Sequence, residues 1–552
     1  MIIRRLGKIF IGFLFLGLVF SPALKVYAYW DQNKNFFIES DYDLFGRNQI
    51  ETKLIKTATN LYFYVDKVWF DNLPLADKQM IVNKIYSLAT DFEYKTYPIL
   101  HNTLGLEENP GIDNDSRIVI VLHQMKPSFG GYIKADDSVS KNIFSRSNEG
   151  QIIYLNANNI LNLDLLLLDY HLAHEFSHLI TLNLKFNADT WFSELVSEWS
   201  DVILDLEPDE SILKQRAQQF LTSTNIELVN WNNNEKDYGK ARLLAQYLSE
   251  QYGNSIIKDA LNYPSRDGIV SLEQSLKKNG FSESFQEVFM NFLITNVLND
   301  CNTGSKYCYK SSVLKNFSII PYKIYMPTIG ESLFSITDSI TSWSGKWQEL
   351  VGGHDILKLK VVIPENTPIS SLAYIIEDES GKKTLNFLDF TRDNIEELFV
   401  KDFGTKNISI ILIPVLGKAD ENINYFYSWE ATTVASNPQT EQQIIEKLTK
   451  RIEELKRQVA SLQLELSMLQ TNQSNITCSV FSNNLYYGMT SPQVKCLQQF
   501  LANLGSSIYP EKLITGYYGF LTQAAVKRYQ ALKGIITTGY FGPLTRAAVN
   551  HN

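Results

Sequence analysis

The spacing of apolar positions changes several times along this chain, and each spacing predicts a different kind of element. An amphipathic helix is predicted over 78–92 and a short buried strand over 117–122. Residues 161–206 and about 237–293 carry the apolar spacing of helices. Mixed elements of this kind predict an α+β domain over 29–310.

Farther along the chain the pattern becomes that of a β-structure. Apolar stretches such as 357–363 and 408–413 alternate with turns rich in Pro, Gly and Asn. Short strands separated in this way are typical of a β-sandwich, which is predicted over 311–435.

A heptad repeat follows over residues 440–471 and predicts a coiled coil. Its a positions are mostly β-branched and its d positions are leucine, namely Ile445, Ile452, Val459 and Leu466 at a, and Leu448, Leu455, Leu462 and Leu469 at d. This combination favours a parallel two-stranded coil, so the segment predicts a homodimer, with a trimer left open.

The first 28 residues have the pattern of an export signal. Basic residues precede an apolar run over 9–20, which is too short to cross a bilayer comfortably. A small-residue site predicts cleavage after Ala28, and the alternative is an uncleaved anchor. The mature protein is therefore expected to be secreted or wall-associated. Whether residues 29–60 are also removed is left open.

Composition and charge narrow the classes of function. With 552 residues, 44% hydrophobic and 20% charged, the chain is globular and long enough for several domains. A net charge of −9 argues against a nucleic-acid binder, which would carry a basic face. Histidine is scarce, with seven in the chain, so a local histidine cluster is informative.

That cluster is the motif H-E-x-x-H, formed by His174, Glu175 and His178 on the helix predicted within 161–182. Residues i and i+4 of a helix share a face, so both imidazoles can bind one zinc ion per chain. Glu175 can then act as general base for a water that attacks a carbonyl carbon. His171, one turn earlier, is interpreted as a surface residue or as a residue that contacts a zinc ligand without binding the ion.

A third zinc ligand is expected downstream. Glu194 and Glu198 lie four residues apart on the next predicted helix and face the same way, so the spacing alone leaves either one open. A histidine ligand at the metzincin position is excluded, because Leu184 stands there.

Here the chain resembles the gluzincin metallopeptidases, whose third ligand is a glutamate often found in W-L-N-E-G. The segment Trp191-Phe-Ser-Glu194 matches this motif, although Leu195 replaces the usual glycine. The resemblance, closest to the hyicolysin-like branch, implies Glu194 as ligand and Glu198 as a carboxylate orienting a ligand imidazole. It also implies a zincin-type fold and endopeptidase activity on a polypeptide, or on wall cross-bridges.

A donor for the oxyanion of the reaction is also expected. No histidine lies between His178 and His354, so an imidazole from the helical part is not available. Tyr238 begins the next long helical stretch, and some gluzincins use a tyrosine after the third-ligand helix. Tyr238 is therefore the predicted donor, and Arg242 is the second candidate.

The last segment, 475–552, contains an internal repeat. Thr515-Gly-Tyr-Tyr-Gly-Phe-Leu-Thr matches Thr538-Gly-Tyr-Phe-Gly-Pro-Leu-Thr, 23 residues later. The repeat and the segment 488–500 resemble the small three-helix peptidoglycan-binding domain of bacteria. This resemblance implies peptidoglycan as a partner, whereas a helical dimerisation module is the alternative.

Four cysteines allow three pairings. Two of them lie before the β-sandwich and two after the coiled coil, so local pairing needs the shortest reach. The predicted disulfides are Cys301–Cys308 and Cys478–Cys496, with a buried free thiol as the alternative for Cys496.

Together these patterns predict an exported zinc endopeptidase that acts at the cell wall. The rival hypothesis is a surface attachment protein with an inactive peptidase fold. The intact H-E-x-x-H motif favours the enzyme, because loss of Glu175 or of a ligand would mark an inactive descendant.

Overall fold

The structure is a computed structural model of the chain. It describes residues 33–127, 129–204, 211–328, 332–420, 423–434 and 480–550, and a few positions between 446 and 457. The predicted signal peptide, most of the predicted coiled coil and Cys478 lie outside the described residues.

The N-terminal part is built on a six-stranded mixed sheet. Its strands are β1 (Asn33–Phe37), β2 (Gln49–Thr57), β3 (Leu61–Asp66), β4 (Ile118–His123), β5 (Gly131–Ile133) and β6 (Ile152–Asn156), in the order β1-β2-β3-β4-β6-β5. β3, β4 and β6 are parallel, and their residues are buried along the whole strand, as expected for strands covered on both faces. β5 pairs antiparallel with β6 and forms one edge.

Helices cover this sheet, and those after β6 form a helical lobe whose core is continuous with that of the sheet. They are α1 (Lys67–Asp71), α2 (Leu75–Asp91), α3 (Tyr97–Thr103), α4 (Ala157–Asn162), α5 (Leu165–Leu184), α6 (Thr190–Leu204), α7 (Ser211–Leu221), α8 (Glu235–Tyr252), α9 (Ser255–Leu261), α10 (Gly268–Lys278) and α11 (Phe285–Leu298). A π-helical turn, Phe92–Thr96, joins α2 to α3, and a 3₁₀ turn, Ala135–Ser138, follows β5.

The helical pattern predicted over 161–206 is divided into three helices. Asp164 caps α5 by accepting a hydrogen bond from the Leu167 amide. After α5 the chain reverses through a short turn in which Asn187 has a φ of 58°. The turn lays α6 against α5, so the two predicted ligand segments face each other.

The N-terminal strands belong to the core of this domain. Phe36 and Ile50, from β1 and β2, are buried in one cluster with Tyr64 and Val121. Beside them Arg47 forms ion pairs with Asp43 at 2.8 Å and with Asp66 at 2.6 Å. Removal of residues 29–60 would therefore take two strands out of the folded sheet.

The next part contains two sheets. Its strands are β8 (Tyr322–Met326), β9 (Ser332–Ile340), β10 (Ser344–Lys346), β11 (Gln348–Gly352), β12 (Ile356–Val362), β13 (Ser371–Asp378), β14 (Lys383–Asp389), β15 (Ile395–Lys401), β16 (Asn407–Ile413), β17 (Val415–Leu416) and β18 (Tyr425–Val434). The two main sheets have the orders β14-β13-β16-β11-β8 and β15-β12-β18-β9, and β10 and β17 lie outside them. Leu359 and Trp429 from one sheet and Leu350 and Ile410 from the other lie in one buried cluster, so the sheets share a core.

This β-structure packs firmly against the helical lobe. Strand β7 (Asn225–Glu227), which lies between α7 and α8, pairs with β10 in a small sheet that also contains β17. The indole of Trp347 is fully buried and donates a hydrogen bond to the Leu293 carbonyl at 3.0 Å. The two parts predicted as separate domains therefore share an extensive interface.

The C-terminal part has its own small core around α12 (Pro492–Asn503), α13 (Phe520–Leu532) and α14 (Pro543–Asn550). Two buried glutamines hold the two repeated turns in the same way. The Gln498 side chain donates to Thr522 Oγ1 at 2.8 Å and accepts from the Gly516 amide at 2.7 Å. Gln530 makes the equivalent bonds in the second repeat. The repeat in the sequence is thus a repeat in structure.

Candidate metal centre

The two histidines of the motif lie side by side on the buried face of α5. The ring centroids of His174 and His178 are 4.9 Å apart, and the rings are nearly perpendicular. This is the arrangement expected for imidazoles at i and i+4. Both Nε2 atoms point toward α6.

Glu194 on α6 completes the group. Its Oε2 lies 3.3 Å from Nε2 of His174 and 3.6 Å from Nε2 of His178. One ligand atom from each of these three residues lies within 4.8 Å of the others. Glu194 Oε2 is buried and faces both imidazoles. Two imidazoles and one carboxylate that converge on one point are the donor set of catalytic zinc sites, so the residues fit the predicted ion.

Glu198 has a different position. Its Oε1 lies 3.9 Å from Nδ1 of His174, on the side of the ring away from Glu194. The carboxylate is fully buried, accepts a hydrogen bond from Tyr170 at 3.3 Å and lies 3.8 Å from the Arg216 guanidinium. The geometry therefore separates the two glutamates: Glu194 faces the Nε2 atoms of both histidines, and Glu198 lies on the Nδ1 side of His174.

Two serines of α6 support the other imidazole. Ser193 Oγ and Ser197 Oγ lie 3.0 and 3.1 Å from Nδ1 of His178. Their contacts fix the ring and leave Nε2 facing Glu194. Sequence reasoning missed both serines. Their positions one residue before and three residues after Glu194, on the same helical face, were the available signal.

Charges within this group are strongly coupled. Burial disfavours protonated His174, but hydrogen bonding to Glu194 and the nearby carboxylates outweigh it and raise the pKa of His174 to about 9. Burial opposes ionisation of Glu194, yet the charge of His178 and hydrogen bonds to both histidines hold its pKa well below the usual range. A cation that binds here would displace the proton of His174, because an imidazole binds a metal only in its neutral form.

Glu175 points from α5 toward the edge strand β5. A Cβ atom on Gly131 would lie 2.9 Å from Glu175 Cγ, and one on Gly130 would lie 2.6 Å from Nδ1 of His171. Only glycine permits this close approach of backbone to the motif. Burial raises the pKa of the Glu175 carboxyl, and the two motif imidazoles oppose that rise. His171 therefore lies under the edge strand beside the site.

Tyr238, the predicted donor, lies in the first turn of α8 near His174, with ring centroids 6.4 Å apart. Its hydroxyl donates to Asn233 Oδ1 at 2.7 Å, and the Arg216 guanidinium lies 4.6 Å from its ring centroid. Burial and the charge of Glu194 raise the pKa of Tyr238, so the phenol stays protonated and able to donate. Arg242 is buried and donates to the Glu198 carbonyl at 3.3 Å.

The cysteines are placed as follows. Cys301 and Cys308 form a disulfide in the loop after α11, as the sequence predicts. Cys496, on α12, is also disulfide-bonded, and its predicted partner Cys478 lies outside the described residues.

Comparison with known proteins adds one family. Residues 490–549 match the peptidoglycan binding domain family. The match covers the repeated turns and all three C-terminal helices, and it indicates association of the protein with the cell wall. The chain is thus a multidomain α+β protein with several sheets and a helical peptidoglycan-binding domain at its C-terminal end. No curated protein matches the chain.

Two solved structures show remote likeness. The crystal structure of the Yersinia pseudotuberculosis-derived mitogen is 14% identical, covers 20% of this chain and 92% of its own, and has a TM-score of 0.15. A family GH115 4-O-methyl-alpha-glucuronidase is 9% identical, with a TM-score of 0.13. That match covers 57% of this chain and 51% of the glucuronidase, so the chain spans about half the length of that enzyme. TM-scores this low carry no argument about the fold.

Within the described part of the chain, none of the helices combines the length and the hydropathy needed to cross a bilayer.

Proposed function

We propose that this protein is a zinc-dependent endopeptidase of the gluzincin type that acts at the bacterial cell wall. The observation that carries the proposal is the convergence of His174, His178 and Glu194, with Glu175 beside them under the edge strand. His174, His178 and Glu194 would hold the ion. When bound, zinc polarises the peptide carbonyl and makes a water acidic enough to be deprotonated near neutral pH.

Each of the nearby side chains has its own role in the hydrolysis of the peptide bond. Glu175 accepts a proton from the attacking water while the water oxygen adds to the carbonyl carbon. Glu175 then passes this proton to the leaving nitrogen when the C–N bond breaks. Tyr238 would donate a hydrogen bond to the oxygen that gains negative charge once its hydroxyl turns away from Asn233 Oδ1. Glu198 and the two serines keep the imidazoles oriented.

The edge strand supports a polypeptide as substrate. Gly130 and Tyr132 direct their backbone hydrogen-bonding groups toward β6, because the Asn156 amide bonds the Gly130 carbonyl and Tyr132 is paired with Tyr154. The backbone N–H and C=O groups of Gly131 and Ile133 therefore point to the other side of β5, where the described residues contain no further strand. An extended peptide can pair there directly above Glu175.

The proposal also covers where the protein is located and how it assembles. The predicted signal peptide would export the chain, and the peptidoglycan-binding domain would hold the enzyme at the wall. A homodimer through residues 440–471 stays a prediction from the heptads.

A metal analysis combined with a casein-type assay, with and without a chelator, separates the enzyme from an inactive attachment protein. The expected result is one zinc per chain and activity that the chelator abolishes and zinc restores. A protein that holds no metal and cleaves nothing would favour the attachment function.

We expect Tyr238→Phe to lower kcat by roughly 100-fold while the zinc content stays unchanged, because it removes one donor to the developing charge. Steady-state kinetics with metal analysis measure both quantities. Tyr86→Phe removes the hydroxyl of a half-exposed tyrosine on α2 and serves as the control. Wild-type turnover in Tyr238→Phe would contradict the role and direct attention to Arg242.

Residues 475–552 expressed alone are expected to bind purified peptidoglycan sacculi, because this segment has its own core and matches a peptidoglycan-binding family. A pull-down followed by gel analysis measures retention, and a chain ending at residue 474 is the matched control. No retention of the isolated domain, or equal retention of the truncated chain, would contradict the prediction.

A further inference from the structure

A cavity of about 190 Å³ lies along α5 beyond the motif. Its apolar lining comes from one side of α5 and the turn that follows it, and from the segment after β5. The lining residues used below are Leu179, Leu182, Phe186, Ala135 and Val139. We infer that this cavity binds a bulky apolar side chain of the substrate, on the N-terminal side of the cleaved bond. The inference rests on the proposed peptidase function and names the substrate class more closely.

The cavity lies along the face of α5 that carries Glu175. Leu179 and Leu182 lie four and seven residues after Glu175, so they are on its face of α5. At about 1.5 Å per residue, Leu182 lies roughly 10 Å along the helix from Glu175. The edge strand follows the same direction, because Gly131 lies against Glu175 and Ala135, four residues later, lines the cavity.

An extended peptide on the free edge of β5 would therefore reach the cavity. At about 3.4 Å per residue, 10 Å corresponds to roughly three residues. Antiparallel pairing is slightly more stable per residue than parallel pairing, so we place the peptide antiparallel to β5. The peptide then runs from the cavity toward Glu175, and the residue in the cavity lies two to four positions before the cleaved bond.

The chemistry of the cavity favours an apolar occupant. Leu179 is almost fully buried, whereas Phe186 is 54% exposed and leaves apolar surface for a ligand to cover. The Gln151 amide in the lining donates to Glu108 Oε2 at 3.2 Å and to Ser138 Oγ at 3.4 Å, so its donors are already used within the protein. The Glu108 carboxylate disfavours an acidic side chain.

The size agrees with a large side chain. An engineered apolar cavity of about 150 Å³ in another protein binds benzene, so this cavity can hold the side chain of leucine or phenylalanine. Glycine and alanine, the small residues of many short wall cross-bridges, would leave most of it unfilled. The cavity therefore favours a protein over a cross-bridge as substrate.

Quenched fluorescent peptides, varied among Gly, Leu, Phe, Asp and Lys at each position before the bond, test this with the full chain. Mass spectrometry locates the cleaved bond. We expect kcat/KM to be about 10- to 100-fold higher for Leu or Phe than for Gly at one position two to four residues before it. Ala135→Phe, which fills the cavity from an exposed position, should abolish the preference, while Asp136→Phe, an exposed neighbour outside the lining, should retain it.

Three results would overturn the inference: no apolar preference at these positions, an unchanged preference in Ala135→Phe, or a preference only after the bond. If the wild-type protein cleaves none of the peptides, the proposed function fails. Peptide binding measured by fluorescence polarisation then tests separately whether the cavity is a binding site. Glu175→Gln loaded with zinc should then bind the Leu and Phe peptides at least about 10-fold more tightly than the Gly peptide. Equal binding, or a difference that Ala135→Phe leaves unchanged, would reject the cavity as a binding site.

Discussion

Glu175→Gln is expected to lower kcat by roughly 100- to 10,000-fold, the range associated with loss of a general base. Glutamine has nearly the same shape as glutamate but cannot accept the proton of the attacking water. Because Glu175 is not among the three converging ligands, the zinc content should remain at one per chain. Steady-state kinetics and metal analysis of the same sample measure the two quantities.

A matched variant controls for a general effect of removing a negative charge. Glu365 is exposed in the β-structure, so Glu365→Gln removes one negative charge far from the motif and should retain wild-type kcat. Undiminished activity in Glu175→Gln would contradict the mechanism. Loss of zinc from Glu175→Gln would instead indicate that the substitution disturbs the ligands.

The second large effect is expected at the third ligand. Glu194→Ala should lose zinc affinity by more than the roughly 10- to 100-fold that is typical when a residue behind a ligand is removed. Its carboxylate oxygen is the one that lies near both Nε2 atoms. Competition with a chromophoric chelator measures the dissociation constant, and peptidase activity should disappear with the metal.

Glu198→Ala is the comparison that makes this result specific. Among the three predicted zinc ligands Glu198 lies near His174 alone, on the Nδ1 side of the ring, so its removal should cost about 10- to 100-fold in zinc affinity. It also leaves Arg216 without its buried carboxylate partner, so a lower stability is expected. The reverse order of zinc affinities would assign the ligand role to Glu198.

Several features of this protein follow from the sequence because they depend on local spacing. An imidazole pair at i and i+4 shares a helical face in any α-helix, so His174 and His178 could be paired before the fold was known. Apolar stretches predict strands such as β4 and β12 to within one residue at each end, because β4 is buried on both faces and β12 alternates buried and half-buried positions. The repeat in the last segment predicts its repeated turns for a similar reason.

Other features depend on how elements meet, and no local pattern contains that information. Glu194 and Glu198 lie on the same side of α6, so only the packing of α6 on α5 decides which of them faces the Nε2 atoms. The same packing brings Ser193 and Ser197 to His178. Likewise, residues 33–57 could not be placed from their own sequence, because strands are stabilised by partners distant along the chain.

The edge strand β5 shows most clearly which features follow from the sequence and which depend on the tertiary structure. The sequence determined that Gly130 and Gly131 have no side chains, and therefore that the backbone there can approach another element closely. Only the tertiary structure decided that this element is the motif helix, with Glu175 under Gly131 and His171 under Gly130. The physical reason is that spacing along a helix or strand is set by the backbone, whereas contacts between elements are set by the packing of the whole core.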